Sequence, residues 1–162
     1  MNELKVNIVD DNVFILFEDV VVESLGYSIT VKKGFDFDGA SIPKWLWSIY
    51  GSPLNGNYVV ASLIHDGLYA SQKVSKRVSD KIFLDIMKQS NVRYIKRTSM
   101  YLAVKMFGGK DWKEASEYKD EYTNYVDVNT NTNSNAWLNR SMKWIMVVEI
   151  ILKINLRLFC RI

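Results

Sequence analysis

Residues 27–43 read Y-S-I-T-V-K-K-G-F-D-F-D-G-A-S-I-P, and within this stretch the chain changes from sheet to helix. Tyr27, Ile29 and Val31 alternate with Ser28, Thr30 and Lys32. Successive side chains of a strand point to opposite faces, so this alternation predicts a half-exposed antiparallel strand, bounded by Gly26 and Gly34. Ser41 then precedes Ile42-Pro43. A hydroxyl followed by proline in the first turn is N-cap chemistry, and it predicts a short helix over 44–50.

Upstream, apolar runs at 6–9 and 13–17 are separated by Asp10-Asp11-Asn12, a turn-forming triplet. Residues 19–23 predict a third strand. Downstream the spacing predicts helices capped by Asn57 and Ser75, reaching to about residues 71 and 90, and another over 92–107 stopped by Gly108-Gly109. Val78, Ile82, Phe83 and Ile86 would share one buried face. Residues 112–125 are polar and helical in character. The fold expected is α+β: a small N-terminal antiparallel sheet, a helical cluster and a C-terminal amphipathic helix. The expected divisions are a core domain over 1–125, a polar linker over 126–135 and that helix over 136–162. The linker rests on V-N-T-N-T-N-S-N at 128–135.

A chain of 162 residues accommodates a sizeable core. The net charge of +3 is too small to argue for nucleic acid. One cysteine, Cys160, excludes an intramolecular disulfide. The first residues lack the basic start and apolar run of a secretory signal, so the expected compartment is the cytoplasm. Over 136–162, Glu149, Lys153, Arg157 and Arg161 form one polar stripe on an otherwise apolar helix. Three ionisable groups inside the segment weigh against spanning a membrane. Packing on the core, on a partner chain or on a membrane surface remains open.

The candidate site comes from two clusters. Asp38-Gly39-Ala40-Ser41 stands at the sheet-to-helix junction, and His65-Asp66-Gly67-Leu68-Tyr69 holds the single histidine of the chain inside an apolar segment. Ser41, His65 and an acid (Asp38, Asp66 or Asp80) have the residue types of a nucleophile, base and orienter. The cap role suits Ser41 better, because G-A-S-I-P is not a nucleophile elbow. One histidine is too few for a zinc site. Carboxylates at Asp36, Asp38, Asp66 and Asp80 suit a hard divalent cation such as Mg²⁺. On a helix His65 and Tyr69 share a face, while Asp66 points about 100° away. Arg77 and Asp80 lie one turn apart and would support the site. Arg93, Lys96, Arg97 and Lys105 read as a solvated face.

The ordered motifs D-G-A-S-I-P at 38–43, H-D-G-L-Y at 65–69, R-V-S-D-K-I-F at 77–83, M-Y-L-A-V-K-M-F-G-G at 100–109, and Trp112 resemble the family called domain of unknown function 1353. The resemblance covers about 34–112. Ser79 departs from it, where relatives carry alanine. It implies a phage or prophage context and no defined reaction. Three functions are compatible with it. One is a non-catalytic phage protein, a virion component or a binder of a host factor, acting in the host cytoplasm. The second is a hydrolase-like enzyme with Asp38, His65 and Asp66 as the site. The third is a membrane-associated accessory protein of a lysis pathway, held through 136–162. The absence of a complete catalytic signature favours the first.

Overall fold

The computed structural model describes residues 6–10, 13–37 and 57–131, with side chains from residue 14 onward. The expected helix over 44–50, the Asp38 turn, the Ser41 cap and the segment 136–162 lie outside the described residues. The architecture is α+β, with small antiparallel sheets packed by helices. Strands β1 (Val6–Asp10), β2 (Val13–Leu16) and β5 (Asp36–Phe37) form one sheet in the order β1-β2-β5. Strands β3 (Val20–Ser24), β4 (Tyr27–Val31) and β6 (Val126–Thr130) form the other, in the order β3-β4-β6. All pairings are antiparallel.

The alternation at 27–32 becomes β4, with Ile29 and Val31 fully buried. A two-residue turn joins β3 to β4, and both its residues have positive φ, Leu25 at 50° and Gly26 at 81°. Two positive φ values in a tight hairpin match the right-handed twist of the strands, and glycine adopts the second without strain.

The polar linker expected over 126–135 is corrected at its start, where Val126–Thr130 is β6 and pairs with β4 along its whole length. Val126 faces Val31 across the ladder and is completely buried. The V-D-V-N-T alternation is a strand signal outweighed by the Asn and Thr content of the longer run. Pairing with a strand nearly a hundred residues earlier is invisible to local composition.

The helices are α1 (Val59–Ser71), α2 (Lys76–Gln89), α3 (Tyr94–Phe107), α4 (Gly109–Ala115) and α5 (Lys119–Tyr122), followed by a 3-10 turn at Thr123–Tyr125. Tyr58, not Asn57, occupies the cap position of α1, without a side-chain cap bond. Ser75 does cap α2 in position, yet its hydroxyl makes no cap bond there either. Ile95 of α3 is 79% exposed.

Helix α1 is buried nearly all round, as befits the central element of the core. Gly67 is what lets it lie on the second sheet. A Cβ there would stand 3.0 Å from Val31 Cγ2 and 3.3 Å from Val126 Cγ2. Ile82, Phe83 and Ile86 of α2 close the other side of the core, with Val78 partly buried beside them. Burial of each such side chain contributes roughly 1.5–3 kcal/mol.

Candidate functional site

The loop from α1 to α2 is short. Gln72 adopts a left-handed conformation at φ 48°, capping α1, and its side-chain amide donates to the Trp112 carbonyl at 2.7 Å. The two helices therefore fold back on each other. Residues four apart share a helix face. The face of α1 bearing His65 and Tyr69 thus meets the face of α2 bearing Lys76 and Asp80.

Asp80 is the hub. Its Oδ1 accepts from the Tyr69 hydroxyl at 2.7 Å and from His65 Nε2 at 3.2 Å. Its Oδ2 accepts from Lys76 Nζ at 2.9 Å. Lys76 also donates to the Val104 carbonyl at 3.0 Å, tying α3 into the network. His65 is 1% exposed and Asp80 is 4% exposed. The imidazole packs on Tyr69 with ring centroids 4.1 Å apart, and on Phe83 at 4.8 Å. Trp112 meets Tyr69 edge-on at 5.0 Å.

Gly108 completes the enclosure. Its φ of −69° needs no glycine, so the reason lies in space. A Cβ there would lie 2.5 Å from the Val104 carbonyl oxygen and 2.8 Å from the Tyr69 hydroxyl. The expected helix stop is thus also a site where only a hydrogen fits. Gly109, expected as part of the same stop, begins α4 instead.

Burial would raise the Asp80 carboxyl, but the bonds from His65, Lys76 and Tyr69 outweigh it and hold Asp80 below the ordinary carboxylate value. Burial lowers the His65 imidazole against the opposing pull of Asp80. Burial raises the Tyr69 phenol, and its bond to Asp80 raises it further. Lys76 already supplies the positive charge that balances Asp80, so a second buried cation would gain little. Asp80 is therefore a carboxylate and His65 is neutral.

That assignment fixes the tautomer. A carboxylate only accepts, so Nε2 must carry the proton. Nδ1 is then a bare lone pair, and it is buried with no hydrogen-bond partner among the described residues. Buried polar atoms are almost always paired, so an exception calls for an explanation.

Of the residues offered by the sequence, the structure brings together His65, Tyr69 and Asp80. Asp80, offered also as a metal ligand, has both oxygens occupied by protein donors, one of them an ammonium. Among the described residues no group of three or more His, Cys, Asp or Glu is placed to hold a metal ion. Arg77 is an exposed residue of α2. Asp38 and Ser41 lie outside the described residues. Lys76 was missed. Its signal was present as Lys76-x-x-x-Asp80, an i,i+4 spacing overshadowed by the i,i+3 pair of Arg77 and Asp80.

Asp66 turns to a neighbouring cleft of about 400 Å³. Tyr69 is the wall shared by cleft and network. Phe35, Phe37, Tyr118 and Tyr122 supply further aromatic surface, and Asp36 and Asp111 join Asp66 as carboxylates. Tyr122 donates to Asp36 Oδ2 at 3.2 Å and packs edge-on against Phe35 at 5.7 Å. Elsewhere, Lys96 lies over the Tyr58 ring at 4.2 Å, and Arg97 and Lys105 likewise lie over Tyr94 and Tyr101. Among the described residues no helix is long and apolar enough to cross a membrane.

Residues 14–104, more than half of the chain, match the family described as a protein of unknown function, DUF1353. A segment of 87 residues is 37% identical to an uncharacterized protein, y4jT, from Sinorhizobium fredii (strain NBRC 101917 / NGR234). It covers 54% of this chain and 26% of that protein, so the likeness spans about a quarter of the relative. No solved structure matches. The matched residues include His65, Tyr69, Lys76 and Asp80, and the chain belongs to the DUF1353 family.

Proposed function

We propose that this protein is a small hydrolase of carboxylic esters, with His65 as general base toward water. The observation that carries the reading is the Nδ1 lone pair, without a hydrogen-bond partner among the described residues and fixed in place by the bond from Nε2 to Asp80. Water would give a proton to Nδ1 as its oxygen bonds to the acyl carbon. The imidazolium would pass that proton to the departing alcohol as the ester C–O bond breaks. The products are an acid and an alcohol. Asp80 would steady the transient imidazolium, and Tyr69 and Lys76 would hold Asp80, making these three positioning residues. General base catalysis of this kind is worth on the order of 10²–10⁴ in rate. The aromatic cleft next to Tyr69 and the amphipathic pattern of 136–162 favour lipid esters as the substrate class.

The test is hydrolysis of short-chain esters and phospholipid vesicles by the full chain, with and without calcium, magnesium and a chelator. The metal arms are included because Asp36 and Asp66, both candidate carboxylates, line the cleft. His65→Gln should abolish turnover while keeping its melting temperature within a few degrees of the parent. No turnover by the parent on any of these esters would overturn the reading.

A second reading is favoured by the 1% exposure of His65. Here the network is a structural lock in a non-catalytic phage protein, one that serves in the virion or binds a host partner. It predicts that His65→Gln lowers the melting temperature in step with any loss of function.

A further inference from the structure

We infer that the cleft beside Tyr69 binds an organic ammonium group. The chain as a whole is positive, with 21 Lys and Arg against 18 Asp and Glu. Among the described residues that line the cleft, the ionisable side chains besides tyrosine are Asp36, Asp66 and Asp111, with no Lys, Arg or His. Its walls are aromatic, with Tyr69, Tyr118 and Tyr122 among them.

A ring face attracts a cation through its quadrupole, and carboxylates add charge without requiring a tight coordination shell. A hard metal ion would want several oxygens converging at one point. Among the described residues no such convergence exists. Aromatic walls with dispersed carboxylates suit instead a large, weakly hydrated cation that carries its own apolar surface. A volume of about 400 Å³ has room for such a head group and part of what it is attached to. Tyr118 is 59% exposed, placing part of the aromatic surface in reach of solvent.

The inference deepens the ester-hydrolase reading by naming the part of the substrate held next to the base: the ammonium of a zwitterionic lipid. Only that identification rests on the reading, because binding of the cation is measurable without turnover.

The experiment is an amide NMR titration of the full chain with choline chloride, with 3,3-dimethylbutan-1-ol as neutral isostere and with calcium chloride at matched ionic strength. Choline should give saturable shifts at Asp36, Asp66, Asp111 and Tyr118, and the isostere should not. Asp111→Asn and Tyr118→Ala, both surface changes, should each weaken choline binding about tenfold, the equivalent of 1.4 kcal/mol. Equal shifts from choline and the isostere would overturn the inference, as would saturation by calcium alone or by neither cation. Choline binding without ester turnover leaves the cleft assignment standing and removes the hydrolase. Turnover without choline binding does the reverse.

Discussion

Replacing Asp80 with Asn tests the hub of the network. The carboxylate is 4% exposed and accepts from three donors at 2.7, 2.9 and 3.2 Å. An amide has one acceptor oxygen and one donor group. Whichever way it turns, its NH₂ meets Lys76 on one side or His65 and Tyr69 on the other. The ammonium of Lys76 loses its counter-charge as well. Breaking a buried ion pair from one side costs about 3–5 kcal/mol. The Lys76 side chain is 22% exposed, so solvent recovers part of that, and the low end of about 3 kcal/mol is expected. For a chain of this size that amounts to a fall of roughly 6–12 °C in melting temperature. Urea unfolding at pH 7 measures it, with the midpoint moving at constant m-value. Lys76→Met/Asp80→Asn removes the stranded ammonium as well, and should recover at least about 1 kcal/mol of the loss. A single variant within about 0.5 kcal/mol of the parent, the range of ordinary surface changes, would refute the reasoning.

Other outcomes follow from the same contacts. Gly108→Ala forces a methyl against the Val104 carbonyl and the Tyr69 hydroxyl, and should cost about 1–3 kcal/mol in urea unfolding. A true linker residue would tolerate any small substitution, but Val126→Ala should cost roughly 2 kcal/mol, because Val126 is wholly buried against β4 and α1. The folded His65 lies below its ordinary value of 6.5, so the unfolded chain binds the extra proton first on acidification. Stability should therefore decline as pH falls below about 6.5, by up to 1.4 kcal/mol per pH unit for one proton, and His65→Gln should remove that part of the slope. Asp80, held below 3.8, contributes stability above that value that is lost only as pH falls through its lower folded value.

What could be read from the sequence was set by local spacing. The alternation of Tyr27 to Lys32, the glycine turn before it and the 3.6-residue pattern of α2 each lie within a dozen residues and became the expected elements. His65 and Tyr69 shared a face because four residues make about one helical turn. Asp80 was one of three acids offered as a partner. Choosing it required the packing of α1 on α2, which a left-handed Gln72 and a short loop determine. β6 was hidden for the same reason, since its evidence is a ladder to β4 rather than its own polar composition. Gly108 looked like a helix stop because the sequence records a glycine and not the tyrosine hydroxyl 2.8 Å from where its Cβ would be.

The central claim is the protonation of one imidazole, and the chain contains one histidine, so its ring nitrogens can be observed without assignment ambiguity. A long-range ¹H–¹⁵N spectrum of the full chain across pH 5–8 reads the tautomer directly. The network predicts a proton on Nε2, a bare Nδ1 and no conversion to imidazolium until below pH 6.5. A proton on Nδ1, or an imidazolium at pH 7, would contradict it.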